Sequence, residues 1–231
     1  MARKNMSILR TCIRFSRKPD RRLLSLAACL AGLLWLSGCS SLNRDIPVGT
    51  VLLSEGTPAV IRNNRSYLLA PQSRLYEGDI LQNDGESRLV AQMSDQSVLS
   101  LAYDTHLVIN RYRPDTFTPM AKFTITRGAG RLKTGNISAD RLGTFVIQTP
   151  VAVIETEEAE FWFGLIFGTN TLDLLLLNGD RVDVVNRHGT TKLKRAGLGT
   201  RVRGRSAPQV PRPWPENKLI NALNSTELAP P

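Results

Sequence analysis

Short runs in which apolar residues occupy every second position fill most of this chain between residues 48 and 206. Phe123 and Ile125, for example, stand on either side of Thr124. Turn-forming Gly, Asn and Asp residues interrupt the runs about every 8–12 residues. A period of two is typical of a β-strand, because successive side chains point to opposite faces. The pattern predicts an all-β domain, folded as a compact two-sheet sandwich or roll of many short strands.

The most apolar segment of this domain runs from 161 to 167 and is followed by a second apolar run at 172–177. Gly168-Thr169-Asn170 between them is a turn signal. Together the two runs could mimic a membrane span, but Gly164, Gly168, Asn170 and Asp173 interrupt it. The two runs predict two buried antiparallel strands.

The N-terminal segment has the order of a bacterial lipoprotein signal. A basic stretch precedes the uncharged run 23–35, and Leu36-Ser37-Gly38-Cys39 resembles a lipobox. The resemblance implies a signal peptide over 1–38, cleavage before Cys39, and acylation of that cysteine with chains such as palmitate. Ser40 favours the outer membrane by the same resemblance. An uncleaved anchor helix is the alternative, and Met6 is a second candidate start.

The formal charge of +10 is concentrated in this predicted leader. Eight of the 30 basic residues and one of the 20 acidic residues lie in positions 1–38, which leaves about +3 for the rest of the chain. A nucleic-acid partner is therefore not expected. The three cysteines are Cys12, Cys29 and Cys39, so a mature chain has no internal disulfide.

The mature chain divides by composition into three parts. Residues 39–47 form a short lipidated tether, 48–206 the β domain, and 207–231 a tail that holds six of the 13 prolines. Prolines are followed by a helical pattern at 216–224, which predicts a short helix within the tail.

Few residues carry chemistry that the sequence makes recognisable. The stretch 128–135 is glycine-rich but lacks the phosphate-loop pattern, and it predicts strand ends. His106 and His188 are predicted to lie in turns. The Glu155–Glu160 carboxylates leave one catalytic alternative open, a periplasmic hydrolase or metal-dependent enzyme. No catalytic residue, metal ligand or cofactor is otherwise expected.

Taken in order, the strand segments resemble the FecR domain family over about residues 48–203. The resemblance rests on the order and spacing of several short motifs. They are Leu75-Tyr76-Glu77-Gly78-Asp79-Ile80-Leu81, Ser94-Asp95-Gln96-Ser97-Val98-Leu99, Phe123-Thr124-Ile125-Thr126-Arg127-Gly128, Phe145-Val146-Ile147-Gln148-Thr149-Pro150-Val151-Ala152 and Leu177-Asn178-Gly179-Asp180-Arg181-Val182.

This chain departs from the family in two ways. Where the family has Arg-Gly-Thr before an aromatic residue, Glu157-Glu158-Ala159 precedes Phe161. The family's sigma-factor regulators also join a cytoplasmic anti-sigma segment to a periplasmic domain, whereas residues 1–22 are too short and basic for such a segment. The signalling role of those regulators is therefore not expected here.

The sequence thus predicts a non-catalytic lipoprotein that faces the periplasm and binds an envelope protein or an anionic polymer. Two surfaces are expected to carry the binding. One is an apolar surface of anchor-type aromatic residues, and the other is one face of a positive hairpin over 192–205. Their residues are Phe161, Trp162 and Phe163 for the first, and Lys192, Lys194, Arg201 and Arg203 for the second.

Overall fold

The computed structural model describes residues 46–166 and 168–228 of the 231-residue chain. The predicted signal peptide, the lipidation site Cys39 and the tether up to residue 45 lie outside the described residues, as does Phe167. In the described ranges, no helix is long and apolar enough to span a membrane.

Seventeen strands and two helices make up the described secondary structure. The strands are β1 (Pro47–Glu55), β2 (Ala59–Arg62), β3 (Arg65–Leu68), β4 (Arg74–Tyr76), β5 (Ile80–Gln82), β6 (Arg88–Met93), β7 (Val98–Leu101), β8 (His106–Arg113), β9 (Met120–Lys133), β10 (Thr144–Gln148), β11 (Val153–Thr156), β12 (Ala159–Ile166), β13 (Thr171–Gly179), β14 (Val182–Asn186), β15 (Gly189–Leu193), β16 (Leu198–Arg203) and β17 (Arg212–Pro213). The helices are α1 (Asn136–Ala139) and α2 (Glu216–Thr226).

The strands form two sheets that share the long strand β9. Sheet A has the order β4-β1-β6-β7-β9-β12-β13-β16-β17. Sheet B has the order β3-β2-β5-β8-β9-β10-β11-β14-β15. Neighbouring strands are antiparallel except β9 and β10, which are parallel and connected through α1. The predicted all-β, two-sheet fold is confirmed.

Strand β9 passes from sheet B to sheet A at Gly128. Before it, Phe123 and Ile125 are fully buried, and after it the buried positions are Gly130 and Leu132. The inward-facing positions therefore change from odd to even numbers, because Gly128 adopts a left-handed conformation with φ +86°. The prediction that the glycines of 128–135 mark strand ends is wrong for Gly128 and Gly130, which lie inside one strand of 14 residues, whereas Gly135 lies just beyond the end of that strand.

The core fills the space between the two sheets, and both contribute its largest side chains. From sheet B, the rings of Phe123 and Phe145 lie 5.7 Å apart, and from sheet A those of Phe161 and Phe163 lie 6.0 Å apart. All four rings are at most 2% exposed. Burying a side chain of this size stabilises a fold by about 1.5–3 kcal/mol.

A buried carboxylate joins the two sheets at one end of the core. Asp95, in the turn between β6 and β7, accepts hydrogen bonds from the backbone N–H and hydroxyl of Ser97 at 2.8 and 2.9 Å. It also accepts from the Ile137 N–H of α1 at 3.2 Å and from the Tyr112 hydroxyl of β8. Burial and the charge of Asp95 raise the pKa of Tyr112, so the phenol stays protonated and donates.

The structure bears out one predicted strand pair and corrects another. Strands β12 and β13 pair antiparallel along their length, which confirms the two buried strands expected over 161–177. The predicted hairpin over 192–205 is wrong, because β15 pairs with β14 in sheet B whereas β16 pairs with β13 in sheet A.

The proline-rich C-terminal residues lie on the domain. Strand β17 pairs with the edge of β16 at two positions, and α2 forms where the sequence predicted a helix over 216–224. The helix crosses the outer face of sheet A, the face that points away from the core.

Candidate functional site

The structure separates the three aromatic residues that the sequence proposed as one partner surface. Phe161 and Phe163 point into the core and are 0% exposed, which corrects their expected placement on a surface. Trp162 points to the outer face of sheet A, because alternate residues of a strand face opposite sides. There its Nε1–H donates to Ser225 Oγ at 3.1 Å, and its ring meets that of Trp214 edge-on at 5.7 Å between centroids.

The four basic residues of the predicted hairpin are divided between the two sheets and do not form one surface. Two of them hold a buried carboxylate: Lys192 Nζ lies 3.5 Å from Asp183 Oδ2, and Arg201 Nε donates to Asp173 Oδ1 at 2.7 Å. The other two, Lys194 and Arg203, are exposed.

The carboxylates of the 155–160 segment do not face one another as an acid–base pair. Glu157 Oε1 accepts from Arg181 Nη1 at 3.0 Å, and Glu160 Oε1 accepts from Arg131 Nε at 2.7 Å. Glu155 and Glu158 are exposed and form no ion pair within the described part of the chain.

The two histidines lie in other parts of the fold. His106 Nδ1 lies 2.9 Å from Thr126 Oγ1 in sheet B, and burial together with the nearby Arg127 lowers its pKa. His188 lies in the turn between β14 and β15, as predicted. Across residues 46–166 and 168–228, no three His, Cys, Asp or Glu side chains gather in a group that could hold a metal ion.

The 155–160 segment instead borders a continuous concave surface, which we call the acidic-loop groove. It consists of three adjoining open depressions of about 180, 450 and 360 Å³. The second depression shares wall residues with the first and with the third, so the three form one groove along the ends of β10–β14 and the loop after α1. Its charged lining residues are Lys133, Asp140, Arg141, Glu155, Glu157, Glu158, Glu160, Asp180, Arg181 and Asp183.

An ion-pair cluster forms one wall of the groove. The guanidinium of Arg181 donates to both carboxylate oxygens of Asp183, at 3.1 and 2.7 Å, and to Glu157. These contacts raise the pKa of Arg181 and, together with Lys192, lower the pKa of Asp183. Both groups therefore stay charged at neutral pH, and the positive charge of Arg181 is neutralised within the wall.

Close backbone packing makes the floor of the groove rigid. A Cβ added to Gly179 would lie 2.3 Å from the carbonyl oxygen of Glu158, and one added to Gly143 would lie 1.7 Å from that of Ile137. Thr134 Oγ1 accepts from the Ala159 N–H at 3.0 Å and ties the loop to β9. The carboxylates are thus presented from a fixed backbone.

Sequence reasoning singled out the carboxylates but missed the groove around them. Asp140 and Asp180 come from segments that are distant in sequence, and only the parallel β9–β10 connection and the β13–β14 turn bring them to the loop. Arg181 and Asp183 had a usable signal, because Arg181 directly precedes β14 and residues two apart along an extended chain lie on the same side.

Comparison with known proteins gives the family of the central region. Residues 79–180 match the family model described as "FecR protein". This central region is therefore similar to the FecR family, as the motifs indicated. The match spans β5 to the start of the β13–β14 turn and includes the loop in which Glu157-Glu158-Ala159 replaces the family triplet. No curated protein matches the chain.

Two crystal structures of a candidate anti-sigma factor from Parabacteroides distasonis are similar to this chain. The first has 16% identity and a TM-score of 0.49, and the second has 15% identity and a TM-score of 0.50. In each case the match covers 62% of this chain and 62% of the other. At this identity the second likeness supports the FecR-like fold alone.

Proposed function

We propose that this chain is a non-catalytic lipoprotein of the cell envelope, anchored through Cys39 at the periplasmic face of the outer membrane. Its FecR-like domain binds a protein partner, and the acidic-loop groove receives a basic segment of that partner. The FecR match supports a regulatory or scaffolding role rather than catalysis.

The observation that carries the proposal is the set of unpaired carboxylates along one concave surface. Among the described residues, four acidic side chains of the groove form no ion pair, whereas two of its basic side chains form none. The acids are Asp140, Glu155, Glu158 and Asp180, and the bases are Lys133 and Arg141. An excess of exposed negative charge on a concave surface attracts a cationic partner and aligns it.

The same charges argue against an anionic envelope polymer as the partner at this groove. The expected positive surface would have favoured such a polymer, but its residues lie on two sheets, and Lys192 and Arg201 are neutralised by carboxylates. A basic protein segment is therefore the partner class that the surface chemistry favours.

Reversing two groove charges is expected to weaken the partner. In the variant Glu155→Lys/Glu158→Lys, both substituted side chains are exposed, so the fold is retained and only the local potential changes. We expect recovery of the partner by crosslinking in intact cells to fall about tenfold, the size of effect that loss of charge complementarity produces. The remaining binding should respond less to salt.

The matched control changes the net charge equally at a different place. Glu86 and Asp115 are exposed and form no ion pair in the part of the chain that the structure describes, so Glu86→Lys/Asp115→Lys raises the net charge by the same four units outside the groove. It should leave crosslinking at the wild-type level. Equal losses in both variants would mean that net charge, and not the groove, determines binding.

Lipid anchoring has its own test. Cys39→Ala removes the thiol on which the predicted processing depends, so incorporation of labelled fatty acid should disappear and the uncleaved precursor should accumulate. Multiple acyl chains give stable membrane attachment, so the variant should also leave the outer-membrane fraction. Undiminished labelling of this variant would disprove the anchor and leave the groove hypothesis to its own experiment.

A further inference from the structure

The C-terminal residues 212–227, which we call the strap, lie across a face of sheet A that has the features of a binding site. Strand β17 continues the sheet beside β16, and α2 then crosses towards β6. The face beneath includes Leu175, which is fully buried although its neighbours Leu174 and Leu176 point to the core. The strap therefore covers an outer apolar position that would otherwise be exposed.

One part of this face is a slot for an aromatic ring. A Cβ on Gly199 would lie 2.0 Å from Nε1 of Trp214, so the indole of the strap occupies the space that a side chain would take. Trp162 forms the other wall and contacts Trp214 edge-on. An edge-on aromatic pair contributes about 0.5–1.5 kcal/mol beyond the area it buries.

The second part of this face is the buried carboxylate of Asp173, which is paired with two cations. Asp173 is 4% exposed, and it accepts from Arg201 of the sheet and lies 2.8 Å from Lys218 Nζ of the strap. Burial alone would raise the pKa of Asp173, but these two cations outweigh it and lower the pKa. Lys218 also lies 3.6 Å from the centroid of the Trp214 ring, so one lysine serves both parts of the face.

The third part of this face binds the C-terminal end of α2. Arg88 of β6 donates to the backbone carbonyls of Asn224 and Glu227, at 3.4 and 2.7 Å. The last carbonyls of a helix have no partner within it, and they carry partial negative charge. Arg88 therefore recognises a helix C-terminus by its backbone, independently of the side-chain sequence.

The strap buries little apolar surface. Strand β17 has two paired positions, and α2 has 11 residues, a length at which an isolated helix is marginal in water. Only Ala222 and Thr226 of the helix are buried, and Ile220 is 47% exposed. Elements with so little buried apolar surface open without unfolding of the whole domain.

We propose that this face of sheet A is a second recognition site, and that the strap is its resident, exchangeable occupant. The site takes a segment in which an aromatic residue is followed four positions later by a lysine or arginine at the start of a short helix, as Trp214 and Lys218 are. Such a segment of a partner protein binds when the strap leaves. The residues that contact the strap do not line the acidic-loop groove.

A synthetic peptide of residues 209–228 is the probe for this site. In the full chain, Trp214→Ala/Lys218→Ala removes the two anchors of the strap and leaves the sheet unchanged. We expect the labelled peptide to bind this variant at least tenfold more tightly than the wild type, where the tethered strap competes at high effective concentration. A peptide carrying the same two substitutions should bind this variant at least tenfold more weakly than the unsubstituted peptide does.

The control is Ile220→Ala/Asn221→Ala, which alters two exposed positions of the same helix and should bind the peptide as weakly as the wild type. Hydrogen exchange of the wild type gives an independent reading: amides of α2 should exchange at least tenfold faster than those of β13. Failure of the folded Trp214→Ala/Lys218→Ala variant to bind the peptide would overturn the proposal. Exchange of α2 only through global unfolding, or loss of folding in that variant, would overturn it equally, because the strap would then be an integral part of the fold.

Discussion

Gly128→Ala is expected to destabilise the domain by roughly 3 kcal/mol or more, because it opposes the crossing of β9 between the sheets. The residue has φ +86°, and an added Cβ would lie 2.4 Å from the Cα and Oγ1 of Thr105. Thr105 is fully buried and its hydroxyl bonds to Ala129, so it has no room to move. Urea unfolding followed by circular dichroism measures the loss.

Gly197→Ala is the matched control for that substitution. Gly197 has nearly the same backbone conformation, φ +83°, but nothing lies within 4 Å of an added Cβ. The free energy of unfolding should fall only by the cost of placing alanine in a left-handed conformation, about 1–2 kcal/mol. If the two variants unfolded at the same urea concentration, the close approach at Thr105 would contribute nothing, and the conformation alone would explain the requirement for glycine.

Asp95→Ala is expected to cost about 3–5 kcal/mol, the range for removing one member of a buried charged network. The substitution leaves the donors of Ser97, Tyr112 and Ile137 without their acceptor in a region closed to water. Each buried donor without a partner costs about 1–3 kcal/mol. The free energy of unfolding from urea titration gives the measurement.

Tyr112→Phe tests the same network from the other side. It removes one donor and leaves Asp95 with its three other hydrogen bonds, so the expected loss is about 1 kcal/mol. A loss as large as that of Asp95→Ala would show that the Tyr112 hydroxyl, and not the carboxylate, is what joins sheet B to the turn between β6 and β7.

Much of the fold was predictable because alternation in sequence is a local property of a strand. The pairing of β12 with β13 followed from two apolar runs and the turn signal between them. The candidate site was less predictable. Glu155 and Glu158 stood out as acids, but a groove needs walls, and its walls at Asp140 and Asp180 come from other elements.

The all-β class, the FecR motifs and the position of the C-terminal helix follow from the sequence alone, because each depends on residues close together along the chain. Which strands share a sheet, and which side of each strand is covered, depends on the tertiary structure. One glycine, Gly128, changes which positions of β9 face inward, and the route of the chain sends β15 and β16 to different sheets. A local sequence pattern carries no information about these long-range pairings. It therefore placed Phe161 and Phe163 on a surface, although both are buried. For the same reason it could not show that the strap covers Trp162.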